Sequence, residues 1–123
     1  MIFLTRKQKT TLINKNKNMQ ELTKASLHEA ISSNPAIVIK FEASWCSSCQ
    51  ATREMFERIS NEFPQAKFAS IDLANNQEIM DSYNIEDLPT IAVFKNGKEE
   101  TRIAGVKTEQ ALRAKLASSL KQA

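Results

Sequence analysis

The segment from residue 41 to residue 49 reads Phe41-Glu42-Ala43-Ser44-Trp45-Cys46-Ser47-Ser48-Cys49. It lies between two patterns of different kinds. The preceding run, Ala36-Ile37-Val38-Ile39, is apolar and mostly β-branched, which is typical of a central strand covered on both faces. The following run, from Cys46 to Phe63, carries apolar residues at helical spacing and ends before Pro64. The two cysteines are therefore predicted where a buried strand gives way to a helix.

The two cysteines are three residues apart, a spacing that suits reversible disulfide formation. In a helix this spacing gives a Cα separation of about 5 Å, which falls inside the disulfide range. Cys46 begins the helix, where unpaired backbone N–H groups and the positive end of the dipole favour thiolate over thiol. Cys49 lies one turn further in and is expected to be shielded and less acidic. The residues therefore predict Cys46 as the attacking thiol and Cys49 as the resolving thiol.

Three other uses of the cysteine pair are less favoured. Zinc needs four ligands, and His28 is the one further candidate beside the two thiols. A permanent disulfide that closes so short a loop adds little stability. Two unrelated core thiols are disfavoured because Ser44, Ser47 and Ser48 make the segment polar. We therefore expect no metal, and we predict that His28 is a surface residue of a helix.

Periodicity in the rest of the chain predicts alternating strands and helices. The predicted helices are Lys24–Ser32 with Thr23 or Ser26 as its cap, Cys46–Phe63, Gln77–Tyr83, and a last helix capped by Thr108 with the apolar stripe Ala111, Leu112, Leu116 and Leu120. The predicted strands are 36–39, 67–73, 90–94 and 98–104, and Asn96-Gly97 predicts a hairpin between the last two. These elements predict an α/β fold with a mixed central β-sheet and helices on both faces.

Charge is distributed unevenly along the 123 residues. Residues 1–18 hold five of the 17 basic residues and none of the 14 acidic ones, so residues 19–123 carry a net charge of −2 although the whole chain carries +3. We therefore expect a disordered basic extension at residues 1–18, with Met19 as an alternative start, and one folded domain at residues 19–123. A mildly acidic domain argues against nucleic-acid binding. Two glycines are too few for a Gly-rich phosphate loop.

The sequence has no pattern of secretion or membrane insertion. Its apolar runs fall well short of the roughly 20 residues that span a bilayer, which predicts a protein without a membrane span. The N-terminal run Ile2-Phe3-Leu4 precedes the charged residues, which is the reverse of the order in a signal peptide. The sequence therefore favours a cytoplasmic location, where a cysteine pair is more often catalytic than structural.

Several separate landmarks give the chain a resemblance to the thioredoxin family over about residues 22–121. They are the strand, tryptophan and cysteine pair of residues 41–49, Leu88-Pro89-Thr90, which resembles the family's cis-proline segment, Phe94-Lys95-Asn96-Gly97, which resembles its hairpin, and Gly105, which follows its last strand. The resemblance implies the thioredoxin fold and a protein-disulfide reductase that cycles Cys46 and Cys49 between dithiol and disulfide. It implies no bound cofactor, protein disulfides as substrates, regeneration by a flavoprotein thioredoxin reductase or by glutathione, and a monomer.

The resemblance also implies roles for residues around the thiols. The Leu88–Pro89 bond would be cis and lie opposite Cys46, with the backbone of Leu88 pairing with an extended substrate. Trp45 would support the active-site loop, and Gly105 would complete the substrate-binding set with Trp45, Leu88 and Pro89. On composition alone, Trp45 is more often a core residue and Pro89 merely a proline that starts a strand.

Some positions depart from the family pattern. Ser47-Ser48 stand where thioredoxins usually have Gly-Pro, and their hydroxyls could donate hydrogen bonds to a Cys46 thiolate, so both are expected to tune the redox potential. Glu54 replaces a proline of the active-site helix, which predicts a straighter helix. Lys40 occupies the position of a buried aspartate beneath the resolving cysteine.

A lysine at position 40, in place of the family's aspartate, changes which group is available to take a proton from the resolving cysteine. It also changes the charge that sets the redox potential. A desolvated lysine could act as a base, and a cation beside the thiols would stabilise thiolate and make the disulfide more oxidising. The alternative is a lysine at the strand edge whose long stem carries its charge to solvent. Negative charge is also expected near Leu88-Pro89, from the acidic residues Glu42, Glu86 and Asp87. This charge would oppose the docking of acidic partners.

Two alternatives to a reductase are open at the level of sequence. A less negative potential would favour a disulfide oxidase or isomerase. The surface near Trp45 and Pro89 could instead serve a thioredoxin-like partner-binding subunit in which the cysteines are incidental.

Overall fold

A five-stranded sheet forms the centre of the fold in the computed structural model, which describes residues 19–105 and 108–120. Its strands are β1 (Met19–Leu22), β2 (Ala36–Glu42), β3 (Lys67–Asp72), β4 (Thr90–Lys95) and β5 (Lys98–Ala104), in the order β1-β3-β2-β4-β5. Strands β1 and β2 run parallel to β3, whereas β4 runs antiparallel to both β2 and β5. The predicted mixed sheet is confirmed. The extension expected at residues 1–18 lies outside the described residues.

Helices in the described residues are α1 (Lys24–Ser33), α2 (Ser47–Ala51), α3 (Arg53–Ser60), α4 (Gln77–Ser82) and α5 (Glu109–Leu120). Thr23 caps α1 in a reciprocal capping box with Ser26, and the Thr108 hydroxyl accepts the amide of Ala111 at 3.0 Å before α5. The leucines of the predicted α5 stripe are buried, but Ala111 is exposed because it lies beside that stripe rather than on it. No helix within residues 19–105 and 108–120 is long and apolar enough to cross a bilayer.

The apolar core has two layers because the side chains of β2 alternate between the faces of the sheet. One layer combines the odd-numbered residues of β2 with α1 and α4. The other combines Val38 with α3 and α5. Helices on both faces are thus confirmed. By the same alternation, Lys40 and Glu42 continue the Val38 side, toward α3.

Two turns of the chain carry left-handed backbone, one at the predicted hairpin and one at the glycine after the last strand. Asn96 and Gly97 have φ values of +52° and +84°, and they join β4 to β5 in the predicted hairpin. Gly105 follows β5 with a φ of +66°. Glycine adopts such angles without the steric penalty that a Cβ brings, so this position suits glycine.

Strand β1 was not predicted from the sequence. Its four residues, Met-Gln-Glu-Leu, show no apolar run, and only Leu22 is buried. The strand forms because its backbone pairs in parallel with residues 68–71 of β3. A short, polar edge strand carries no clear periodicity, so its pairing partner is what reveals it.

The prediction of one helix over Cys46–Phe63 is wrong, because Thr52 separates α2 from α3. The Thr52 hydroxyl donates to the carbonyl of Cys49 at 2.9 Å and lies 3.2 Å from the carbonyl of Ser48. A hydroxyl that bonds back to a carbonyl three or four residues earlier bends a helix. The interruption lies two residues before Glu54, and the straighter helix expected from Glu54 stays a prediction.

Candidate active site

Cys46 is the N-cap residue of α2. Its Sγ accepts the backbone N–H of Cys49 at 3.2 Å and lies 3.3 Å from the Ser48 Oγ. Backbone amides and hydroxyls at a helix start stabilise negative charge on sulfur. Cys46 is 8% exposed and Cys49 is fully buried, and both are free thiols. The structure thus brings the two predicted thiols together, one at the surface and one beneath it.

The surroundings separate the acidities of the two thiols. Burial raises the pKa of the Cys46 thiol, but hydrogen bonds from Cys49 and Ser48 outweigh burial and leave that pKa lowered. Burial raises the pKa of Cys49 to about 12, and its hydrogen bond with Cys46 adds to the rise. An acidic outer thiol and a weakly acidic inner thiol suit an attack in two successive steps.

The acidity difference predicts the order of alkylation. With iodoacetamide near neutral pH, we expect Cys46 to be modified first, because its lowered pKa leaves more thiolate than an ordinary cysteine has. Its rate should level off at a pH below the ordinary thiol pKa. Cys49 should react much more slowly over the same pH range, because burial and its hydrogen bond with Cys46 raise its pKa. Peptide mass spectrometry across a pH series measures both rates, and the Cys49→Ser variant isolates Cys46. Equal rates for the two cysteines would contradict this assignment.

Leu88 lies against the thiols, and its peptide bond to Pro89 is cis, as the resemblance implied. Leu88 packs on the small buried cluster that contains both cysteines. Its carbonyl accepts the Ser48 hydroxyl at 3.4 Å and lies 3.9 Å from the Cys46 Sγ. Ser48 therefore connects the Cys46 sulfur to the loop that faces it.

Trp45 is the one large apolar side chain in residues 19–105 and 108–120 that is exposed, at 69%. The alternative that places it in the core is therefore wrong. Ser47 is exposed beside it. Gly105 lies one position beyond the last residue pair of β4 and β5, at the level of Pro89, which is itself buried. Trp45 and Ser47 thus flank Cys46 in the chain with exposed side chains, and Gly105 lies opposite Pro89 in the strand register.

Two residues form hydrogen bonds to the backbone of the loop before Trp45, and neither was predicted from the sequence. The Asp72 Oδ1 accepts the backbone N–H of Ser44 at 3.3 Å and that of Ala74 at 2.9 Å. The Gln50 Nε2 donates to the carbonyl of Ser44 at 2.9 Å. Asp72 could have been found, because the carboxyl ends of the parallel strands β2 and β3 meet at one edge of the sheet. Gln50 carries no comparable signal.

Lys40 is buried, with 1% of the residue exposed. Its Nζ donates to the carbonyl of Cys49 at 2.8 Å, and it lies 3.0 Å from the Glu42 Oε1 and 5.9 Å from the centre of the Phe56 ring. The alternative of a lysine that reaches solvent is therefore wrong. Its stem stays inside because α3, through Phe56, covers this side of β2.

Glu42 lies elsewhere than the sequence analysis placed it. Its side chain is 12% exposed and pairs with Lys40. Its charge therefore faces α3 rather than the loop that contains Leu88. The reason is the alternation of β2, which sends positions 40 and 42 to the same face. Glu86 and Asp87 are exposed immediately before Leu88, and they do supply acidic charge there.

His28 is exposed on α1, as predicted, far along the chain from the thiols. In the part of the chain that the structure describes, no group of three or more His, Cys, Asp and Glu side chains is arranged to hold a metal ion.

Comparisons with known proteins agree with this geometry. The thioredoxin family model matches residues 18–118. Thioredoxin of Mycoplasma genitalium is 37% identical over 79 residues, which cover 64% of this chain and 78% of that protein. Thioredoxin-1 of Saccharomyces cerevisiae is 31% identical over 83 residues, which cover 68% of this chain and 81% of that protein.

Solved structures of thioredoxins also match this chain. The crystal structure of thioredoxin from Trypanosoma brucei brucei matches with a TM-score of 0.76 and 30% identity, over 85% of this chain and 92% of that one. A thioredoxin structure from Plasmodium falciparum matches with a TM-score of 0.75 and 25% identity, over 80% of this chain and 97% of that one. Because the family model spans most of the chain and these relatives match it over most of their own length, the chain belongs to the thioredoxin family of thiol–disulfide oxidoreductases.

Proposed function

We propose that the chain is a protein-disulfide reductase whose active site is the segment Cys46-Ser47-Ser48-Cys49 and whose catalytic domain is residues 19–123. The observation that carries this proposal is the contrast between the two thiols. The Cys46 sulfur accepts a backbone amide and lies 3.3 Å from the Ser48 hydroxyl, and both contacts lower its pKa, whereas Cys49 is fully buried and weakly acidic. A reductase needs this contrast, since one thiol must attack an external disulfide while the other waits.

The proposed reaction consists of two exchanges. The Cys46 thiolate attacks one sulfur of a substrate disulfide, so that a mixed disulfide forms, the substrate S–S bond breaks, and the leaving sulfur takes a proton from water. Cys49 then gives its proton to water and attacks the Cys46 sulfur. The Cys46–Cys49 bond forms as the mixed disulfide breaks, and the second substrate sulfur leaves as a thiolate. The substrate gains two electrons and the protein loses them.

The proposed substrate-binding residues are Trp45, Leu88, Pro89 and Gly105. We propose that an extended substrate segment pairs with the backbone of Leu88 beside Pro89 and Gly105, as in strand addition. The exposed indole of Trp45 offers a flat apolar surface next to the attacking sulfur. Glu86 and Asp87 bring acidic charge to the same loop and so favour basic or neutral substrates over acidic ones.

We propose that Ser48, Ser47 and Lys40 set the redox potential. The Ser48 hydroxyl lies at the Cys46 sulfur, and the Lys40 ammonium bonds to the Cys49 carbonyl. Both contacts favour thiolate and therefore the reduced state. Ser48 also stands where the family has a proline, so the loop loses a rigid element, and Ser47, whose side chain is exposed, would act from the glycine position beside it.

A less negative potential than that of ordinary thioredoxin, about −270 mV, is the expected result. Equilibration with glutathione at neutral pH, followed by acid quenching and alkylation, measures the fraction of dithiol and hence the potential. Lys40→Asp should move the potential to more negative values, because it replaces a cation that favours thiolate by an anion that opposes it. A wild-type potential at or below about −270 mV would contradict the proposed tuning.

Direction of electron flow separates the reductase from a second candidate, a disulfide oxidase or isomerase, which the buried cation of Lys40 favours. As a reductase, the protein would act as a monomer in the cytoplasm, where a flavoprotein thioredoxin reductase or glutathione returns it to the dithiol. Insulin reduction with dithiothreitol tests for exchange activity. Alkylation of the protein in rapidly acidified cells then tests the direction, since a reductase should be trapped mostly as the dithiol and an oxidase mostly as the disulfide.

A further inference from the structure

A second charged residue stands behind Lys40, on the same face of β2. The Glu42 Oε1 lies 3.0 Å from the Lys40 Nζ, and that same Nζ donates to the carbonyl of Cys49 at 2.8 Å. The Phe56 ring lies 5.9 Å away on the α3 side. The ammonium is therefore held between a carboxylate and the backbone of the inner cysteine.

The negative charge of Glu42 is compensated mainly by Lys40. Its Oε1 is buried and has no aligned hydrogen-bond donor among the described residues, although the Lys40 ammonium is within ion-pair distance. The next cation, the guanidinium of Arg53, is 4.0 Å away, and its side chain is 52% exposed. A buried carboxylate without a partner is costly, so the attraction between Glu42 and Lys40 restrains both groups.

The pair lies at the inner end of a polar cleft of about 180 Å³ between β1 and α3. The other charged groups that line the cleft are Glu21, Arg53 and Glu57. Solvent screens these groups more than it screens Lys40, which is almost completely buried. Among the charges on this face, the Lys40–Glu42 pair is therefore the one that acts most directly on Cys49.

We propose that Glu42 is a positioning residue for the thiol pair, holding the Lys40 ammonium against the Cys49 carbonyl and offsetting part of its charge. The field at the cysteines is then set by the pair rather than by Lys40 alone. The inference rests on the proposed function of Cys46 and Cys49. Glu42 itself touches neither sulfur and acts through Lys40.

The two members of the pair should shift the thiol equilibrium in opposite directions. Glu42→Gln keeps the shape of the side chain and removes its charge, which leaves the cation uncompensated. The dithiol is then stabilised, and the equilibrium constant with glutathione should move about three- to tenfold toward the reduced protein. Lys40→Gln removes the cation and should move the same constant toward the disulfide. A purely structural role for Glu42 would not produce opposite signs.

The test is equilibration of each variant with glutathione buffers, read by alkylation, together with the pH profile of Cys46 alkylation. Glu54→Gln is the matched control, because it removes the same charge from a side chain that is 86% exposed, and it should change the constant by less than about twofold. In Glu42→Gln the Cys46 profile should shift to lower pH, and in Lys40→Gln to higher pH. A Glu42→Gln variant that matches Glu54→Gln, or that moves with Lys40→Gln, overturns the inference.

Circular dichroism establishes first that each variant is folded. If a single variant does not fold, the double variant Lys40→Gln/Glu42→Gln replaces it, since it leaves no unpaired buried charge. We expect the double variant to move toward the disulfide by less than a factor of ten, because the ammonium bonds to Cys49 and outweighs its partner. No shift would overturn the inference. Failure of the reductase proposal is separate, since it would appear as insulin reduction that survives the loss of Cys46.

Discussion

Replacement of Cys46 by serine should abolish disulfide reduction, with a loss of at least about 10³-fold in the rate of insulin reduction. A serine hydroxyl in the same place receives the same amide, but it does not ionise near neutral pH and cannot form a disulfide. The reaction therefore loses its first bond-forming step. The turbidity of reduced insulin, followed with dithiothreitol as the electron donor, measures the effect.

Cys49→Ser is the matched control for this experiment. It keeps the attacking thiol and removes the resolving one, so it should stop turnover after the first exchange and accumulate a mixed disulfide between Cys46 and the substrate. Non-reducing electrophoresis would show that adduct, and Cys46→Ser should not form it. Full cellular function of the Cys46→Ser variant would contradict the reductase and favour the partner-binding subunit.

Truncation of Phe68 should give the largest loss of stability among single core substitutions near the site. Phe68 is fully buried in the layer between the sheet and α3, and its ring lies 5.4 Å from that of Phe56 and 6.4 Å from that of Phe63. Phe68→Ala should lower the free energy of unfolding by about 3–5 kcal/mol, since it removes buried apolar surface and leaves a cavity. Chemical denaturation measures the change.

Phe68→Leu is the companion variant, and it should cost about 1–2 kcal/mol because it retains most of the apolar volume. The comparison distinguishes cavity formation from a general intolerance of position 68. A loss below about 1 kcal/mol for Phe68→Ala would mean that the neighbouring rings collapse into the space. Both variants should keep the order of Cys46 and Cys49 alkylation, since neither changes the contacts of the thiols.

Local patterns explain why much of the fold and of the thiol site could be predicted. The β-branched run of β2, the Asn96-Gly97 turn and the leucine stripe of α5 act through short-range geometry, which the order of residues specifies directly. The spacing of Cys46 and Cys49 likewise determines that they can meet. These features were expected from residue types alone, and the structure contains them.

Features that depend on a distant partner were missed or misplaced. β1 exists only through its pairing with β3. The clamp on the Trp45 loop by Asp72 joins residues that are far apart in the chain. In each case the decisive contact is made with a segment distant in the chain, which the local pattern of residues does not specify.

The Cys46-to-Cys49 segment shows most clearly which features are determined by the sequence and which are determined by the tertiary structure. The sequence by itself determined that two thiols lie one helical turn apart at the start of a helix, because that follows from spacing and from the strand-to-helix change. Tertiary structure alone decided that Lys40 is buried beneath them and that Glu42 faces Lys40 rather than the substrate loop. The physical reason is that burial depends on which element covers a strand face, and α3 covers this one.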